Sequence, residues 1–306
     1  MSDMMRLMGD RFGMTSESSG RLPSWFKVPM PGSSNFIKLR NLLRESELHT
    51  VCEEAHCPNI GECWDNRSAT FMILGDICTR RCGYCAVTTG RPGLVDTEEP
   101  FRLANTVKRL GLSYCVITSV NRDDLLDGGA SIFAACIGEI RKISPECEIE
   151  VLIPDFQGSE DALVEVLLAN PDVLNHNIET VTRMFRKVRP KGDYNQSLDL
   201  LSKVKRISPD MVTKSGMMVG LGETWDEIID TMTDLRAVGC DLLTIGQYLR
   251  PSAKHFPMYR FYEPEEFVQL GVKGRQLGFR HVASGPLVRS SYHAKEQLTT
   301  ARNIAY

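Results

Sequence analysis

The chain has 306 residues, 42% hydrophobic and 25% charged, enough for one large domain or two small ones with a sizeable core. A formal net charge of -3 gives no reason to propose a nucleic-acid or membrane-surface partner, and no apolar run approaches the ~20 residues that span a bilayer. The opening residues carry Asp3, Asp10 and Glu17 without a continuous apolar stretch, so they read as neither secretory leader nor transit peptide, and a cytoplasmic protein is the expectation.

Residues 1–21 are rich in Met, Ser and Gly without a clear period, which predicts a mobile arm. Segment 22–32 mixes three prolines with Trp25, Phe26 and Val28 and reads as an extended piece laid along a surface. Phe36, Ile37, Leu39, Leu42 and Leu43 fall at helical spacing, predicting a short helix over 36–48. Six of the ten cysteines follow between Val51 and Ala86, in two triplets: Cys52, Cys57 and Cys63, then Cys78, Cys82 and Cys85.

Six thiols so close together call for a common explanation. Disulfides fit poorly in a large chain with no leader in view. Structural zinc prefers paired CxxC knuckles closing a four-ligand set, and neither triplet supplies them. A four-iron cluster held by three thiolates leaves one iron free for a substrate, a cofactor or a weaker protein ligand. Two such sites are the favoured reading, with zinc or redox dithiol chemistry as the alternatives.

From Ala69 onward, short apolar runs alternate with helical patterns. Strands are expected over 71–77, 114–120, 149–153, 173–178, 211–221 and 242–249, with helices over 98–110, 131–143 and 161–169 and a stripe from Trp225 to Leu235 opened by a Thr224/Glu227 capping box. About six strand–helix units imply a parallel sheet, open or closed, with the site just past the strand C-terminal ends. Cys78, Asn121 to Asp124, Asp155, Asn177 with Glu179, and Tyr248 to Arg250 fall there. Asn175, Asn177 and Glu179 alternate, so they are expected on one strand face, where burial is costly without a polar ligand. His176, on the other face, reads as packing. The basic run 183–191 is either a solvated helix face or a docking surface for an acidic protein substrate. Cys115, Cys136, Cys147 and Cys240 lie scattered on apolar elements and read as core.

Residues 78–85, CTRRCGYC, resemble the cluster loop of the radical S-adenosylmethionine (SAM) enzymes, whose open iron chelates the methionine moiety of SAM and whose aromatic position, here Tyr84, lies beside the adenine. CEEAHCPNIGECW (52–64) and RSSYHA (289–294) resemble lipoyl synthases, and SVNRDDLLDGGA, NHNIET, TKSGMMVGLGE and GQYLRPS continue the match from about residue 22 to 293. The resemblance implies a partial (β/α)6 TIM-like barrel, with a cluster-binding extension over 22–68, the barrel over 69–280 and a capping segment over 281–306. It implies two 4Fe-4S clusters, one on Cys78, Cys82 and Cys85 and an auxiliary one on Cys52, Cys57, Cys63 and Ser291, with Arg289 and Tyr292 as supporting neighbours. Tyr84, Asn121, Arg122, Asn177 and Glu179 are the expected SAM contacts; the last two are carried over from a similar motif in biotin synthase. The implied reaction is a sulfurtransferase reaction, the radical insertion of sulfur at C6 and C8 of a protein-bound octanoyl-lysine. Saturated C–H bonds offer no acidity for a base, so a 5'-deoxyadenosyl radical from SAM is needed, and the auxiliary cluster is the sulfur donor. The implied partners are octanoylated lipoyl carrier domains (2-oxoacid dehydrogenase E2 subunits and the glycine cleavage H protein), a reductant such as flavodoxin or ferredoxin, and a cluster-repair carrier. Another radical sulfur-inserting enzyme, such as a biotin synthase, is the nearest alternative, and an iron–sulfur electron carrier the alternative of a different class.

Overall fold

A computed structural model describes residues 22–28, 31–66 and 68–303; the arm expected over 1–21 lies outside them. Eight strands form one sheet: β1 (His49–Thr50), β2 (Thr70–Ile73), β3 (Tyr114–Ser119), β4 (Glu148–Leu152), β5 (Val173–Asn175), β6 (Val212–Val219), β7 (Leu242–Gln247) and β8 (His281–Gly285). They lie in sequence order, with β1 antiparallel to β2 and every later pair parallel. From β2 to β7 each strand is followed by at least one helix, so the six expected units are present. Strand β8, inside the segment expected to be a cap, extends the parallel order by one. The order is linear, which leaves an open side between β8 and β1.

Strand β2 is shorter than the apolar run predicts. Leu74 (φ 68°) and Gly75 (φ 85°) turn the chain into the left-handed region, and the Leu74 amide donates to the buried Glu99 carboxylate at 2.8 Å. The chain is thereby turned out of the sheet ahead of Cys78. Strand β5 stops at Asn175; beyond it the Ile178 amide donates to Ser215 Oγ at 3.1 Å, and Glu179 has φ 69°. Asn175, Asn177 and Glu179 therefore do not share one regular strand face. The helix of residues Trp225–Ala237 opens on the Thr224/Glu227 capping box.

The floor of the sheet is charged and fully buried. Glu150 of β4 accepts from Lys214 Nζ of β6 (3.0 Å), from Tyr114 Oη of β3 (2.7 Å) and from Asn175 Nδ2 of β5 (3.0 Å). Below it, Leu298 and Ala301 of the helix Ala294–Asn303 pack on Val173, Val212 and Leu242, the first residues of their strands. That helix stoppers the N-terminal ends of the strands. The chain between β8 and it passes back across the open side. No helix among the described residues is long and apolar enough to cross a membrane.

Candidate active site

The loop carrying the second triplet has little regular structure and is pinned from three sides. The amides of Cys78 and Thr79 donate to Thr88 O (2.8 Å) and Asn121 O (3.0 Å), that of Gly83 to Val188 O (2.7 Å), and that of Phe256 to Gly83 O (2.7 Å). His255 Nε2 stands 3.0 Å from Cys85 O. Two further amides, of Arg80 and Asn121, face Cys78 Sγ at 3.4 and 3.3 Å, the kind of donor that tunes a cluster sulfur. Arg80, buried, grips Asp155 through both terminal nitrogens at 2.6 Å and Asp123 through Nε at 2.8 Å. Burial alone would raise the Asp155 carboxyl, but the bonds from Arg80 hold it below its usual range.

Opposite this loop stands a polar wall. Asn177 Nδ2 donates to Ser290 Oγ at 2.8 Å and lies 3.2 Å from Glu179 Oε1. Burial raises the Glu179 carboxyl, opposed by the guanidinium of Arg189 and by hydrogen bonds from Asn177 and Tyr84. Arg189 is buried; its Nη1 donates to Asn177 O at 3.3 Å and its Nη2 lies 3.9 Å from Asp155. The run 183–191 thus divides. Arg183 pairs with Glu227 at 2.6 Å on the outside, and Arg189 turns inward. His176 meets Ile153 O (2.9 Å) and Ser197 Oγ (3.1 Å), a packed side chain in a polar slot.

The first triplet lies against the chain after β8. Cys52, Cys57 and Cys63 border a small pocket of about 20 Å³ with Thr70, Arg289, Ser291 and Tyr292. Thr70 Oγ1 donates to Ser291 Oγ at 2.6 Å, Asn59 Nδ2 to Leu287 O at 2.7 Å, and Tyr292 Oη to the Glu62 carboxylate at 3.1 Å. Glycines admit this strap. A Cβ on Gly216 would lie 2.6 Å from Thr244 Oγ1 and 2.9 Å from Ser290 Oγ, and one on Gly246 would lie 2.1 Å from Val288 O. The neighbouring Ser290 is engaged with Asn177 and so belongs to the other wall.

One cavity of about 340 Å³ is lined by Cys52 and Cys57 on one side and Cys78, Cys82 and Cys85 on the other, while Cys63 lines only the small pocket. All six thiols are free. Burial pushes Cys52, Cys63 and Cys85 up to about 12 and Cys82 up to about 11, the last opposed by Arg189; burial also raises Cys57, against the pull of Arg289. Thiols gathered in so dry a place ionise only against a strong local positive charge, which iron supplies. Among the described residues no three His, Cys, Asp or Glu side chains are placed to share a single metal ion. The thiolates of a four-iron cluster each hold a different iron, so triplets spread around a cavity fit that group.

Comparison with known proteins agrees with this geometry. Residues 72–235 match the radical SAM superfamily, and residues 8–57 match the N-terminal domain of lipoyl synthase. The lipoyl synthase of Rubrobacter xylanophilus is 57% identical over 283 residues, covering 92% of this chain and 88% of that protein. The chain belongs to the lipoyl synthase family. The lipoyl synthase of Koribacter versatilis is 54% identical over 92% of each chain. Among solved structures, the [FeFe]-hydrogenase maturase HydG superposes with a TM-score of 0.57 at 13% identity over 98% of this chain and 66% of its own, and methylornithine synthase with 0.52 at 13% over 67% and 62%. These two show the fold, the TIM-like partial barrel. As a member of this family the chain is a radical SAM sulfurtransferase with iron–sulfur clusters and SAM as its cofactors.

The structure brings Tyr84, Asn121, Asn177, Glu179 and Ser291 to the cavity wall together with five of the six thiols, Cys63 excepted. Arg122 is different: Nε and Nη2 clasp Asp124 at 2.9 and 2.8 Å, Nη2 also donates to Gly93 O at 3.0 Å, and the side chain is turned away from the cavity. A basic residue beside three acidic or amide neighbours found its partner within its own turn. Arg189 went unnoticed in the sequence because four other basic residues surround it; the Pro190 that follows, ending the helix before it, is the one local sign that its side chain need not follow the exposed face.

Proposed function

We propose that the protein thiolates C6 and C8 of an octanoyl chain carried on a lysine of a lipoyl carrier protein, with Cys78, Cys82 and Cys85 holding the radical cluster and Cys52, Cys57, Cys63 and Ser291 the donor cluster. The observation that carries this reading is the shared cavity with Cys52 and Cys57 on one wall and Cys78, Cys82 and Cys85 on the other, Cys63 completing the first triplet in the small pocket beside it. When bound, the groups supply an electron that splits SAM, a carbon radical that takes hydrogen from the chain, and sulfur from the donor cluster.

The residues of the chain do the rest. Arg189 and Glu179 present opposite charges where a zwitterionic methionine moiety needs both, and the amides of Asn121 and Asn177 offer donors and acceptors to a ribose. Tyr84 lends an aromatic face for the adenine. Met72, Leu152, Met217 and Met218 give the cavity an apolar stretch suited to a saturated chain. Ser291, a hard oxygen ligand among soft thiolates, leaves the donor site one weakly held corner. Octanoylated E2 domains and H protein are the substrates this reading names, an external one-electron donor reduces the first site, and a cluster carrier renews the second.

Anaerobic incubation of reconstituted protein with octanoylated H protein and SAM, followed by mass spectrometry, tests it. Dithiolated product and about eight irons per chain are expected. Replacing Cys52, Cys57 and Cys63 by Ala should keep SAM cleavage and abolish thiolation; replacing Cys78, Cys82 and Cys85 should abolish both. Thiolation by the first variant at the parent rate refutes the donor assignment.

A further inference from the structure

A basic patch covers the outer face of the loop that carries the second triplet. Gly83 N donates to Val188 O and Phe256 N to Gly83 O, both at 2.7 Å, and Lys191 Nζ donates to Thr79 O at 3.3 Å. These bonds draw Arg81, Lys187, Lys191 and Lys254 around one loop, and all four residues are exposed. Segments 79–84, 182–192 and 250–260 contain no Asp or Glu. Among the described residues none of the four cations forms an ion pair, although the chain as a whole is acidic. A concentration of unpaired positive charge on an acidic protein is costly self-repulsion unless something negative meets it.

The patch is separate from the cavity lining. The lining residues that reach the surface are Ala55, His56 and Thr89, whereas none of the four cations lines the cavity. A chain borne on a lysine of a carrier has to enter through the lining, not behind it. An electron, by contrast, can arrive from behind, because it needs a short path to the sulfur ligands and no opening. Arg81 is next in sequence to Cys82, and Lys254 is followed by His255, whose ring meets Cys85 O.

From this placement we infer that Arg81, Lys187, Lys191 and Lys254 form the docking surface for an acidic one-electron carrier protein, which reduces the cluster through the back of its loop. The inference rests on the proposed function. In the transfer the carrier loses one electron and the site held by Cys78, Cys82 and Cys85 gains it; no bond forms or breaks. The exposed cations steer the acidic partner and fix its orientation, an effect that salt screens over about 8 Å at physiological ionic strength.

The test uses the reconstituted protein, with flavodoxin as the probe carrier, and a triple variant, Lys187→Glu/Lys191→Glu/Lys254→Glu. Flavodoxin binding at low salt should weaken about tenfold or more, and SAM cleavage driven by reduced flavodoxin should slow in parallel, while cleavage driven by dithionite stays at the parent rate. Raising the salt should erase the difference between parent and variant. Lys273→Glu, the same exchange made once on the helix Pro264–Gln276, should alter nothing. If the triple variant disturbs dithionite-driven cleavage as well, the Lys→Gln triple variant is compared for flavodoxin binding alone. Unchanged flavodoxin affinity in both sets overturns the inference, and so does weakened binding of the octanoylated carrier with flavodoxin binding intact. Failure of the parent to cleave SAM with dithionite would strike the proposed function instead, and flavodoxin binding would still decide the docking surface.

Discussion

Gly246 lies in the last pair of the β7–β8 ladder, opposite Gly285, and its missing side chain is filled by the backbone of the strap that carries Ser291. In Gly246→Ala the new Cβ would stand 2.1 Å from Val288 O, where ordinary contact begins at 3.4 Å, so the strap must retreat by about 1.3 Å. Backbone cannot give way by rotating, and Val288 is tied to Gly285 O at 3.1 Å and to Arg289 Nη1 at 2.7 Å. The retreat is therefore passed to Arg289, Ser290 and Ser291. Overpacking of this kind costs about 1–3 kcal/mol, which in a protein of this size is a fall of about 2–4 °C in Tm per kcal/mol. Its chemical effect is larger, because a misplacement of about 1 Å costs on the order of a hundredfold in rate. Thiolation of octanoylated H protein should drop by about that factor. SAM cleavage should fall much less than thiolation, through the Ser290–Asn177 bond alone, since the loop with Cys78, Cys82 and Cys85 is pinned by other segments. Mass spectrometry for thiolated product and chromatography for 5'-deoxyadenosine separate the two readouts. An Ala variant with parental Tm and parental thiolation would refute the claim that the strap is held against β7 by close packing.

Lys214→Met strands the Glu150 carboxylate in the buried floor with only Tyr114 and Asn175, at a cost of about 3–5 kcal/mol in urea unfolding of the cluster-free protein; the double variant Lys214→Met/Glu150→Gln should recover most of it, and equal losses in the two would contradict a charge-based explanation. Arg189→Gln should raise KM for SAM by tenfold or more, because a buried cation facing Glu179 disappears; an unchanged KM would remove Arg189 from the SAM site. His176 is held down at about 4 by burial, with Arg189 adding to the effect, so the native ring refuses a proton that the unfolded chain accepts. Stability of the cluster-free protein should accordingly be full above about 6.5 and decline as pH falls from there toward 4, by an amount of the order of 3 kcal/mol. His176→Gln should flatten that slope, and a slope of parental size in the variant would assign it to other groups.

Spacing was the most legible signal. Residues that act through local sequence, such as the triplets, can be read directly, and the strand ends follow from apolar runs alternating with helical stripes. Residues that act through distant geometry could not be read. Thr70 lies inside an apolar strand and becomes informative only when Ser291, far along the chain, is laid against it. Gly216 and Gly246 look like ordinary strand glycines until the strap is in place. Strand β8 was missed because its burial is incomplete, with four of its five residues half-buried, and its composition lacks the β-branched run that marks the earlier strands. The 71–77 run was read too long because apolar character continues past Leu74, where positive φ ends the ladder, and the 173–178 run because β5 stops at Asn175 and the amide of Ile178 turns to Ser215 Oγ.

The pocket around Cys52, Cys57 and Cys63 is assembled from the two ends of the chain: Asn59 is bonded to Leu287, Thr70 to Ser291 and Glu62 to Tyr292. During synthesis, the three cysteines leave the ribosome long before the residues that wall them in. The loop of Cys78 to Cys85 waits less, for partners that lie no farther along than residue 256. The order of translation therefore separates the two sites in time, and a nascent chain cut short before Ser291 would present its first three thiols without the wall that encloses them. The wall round the first three thiols is therefore complete only in chains that extend through Ser291 and Tyr292.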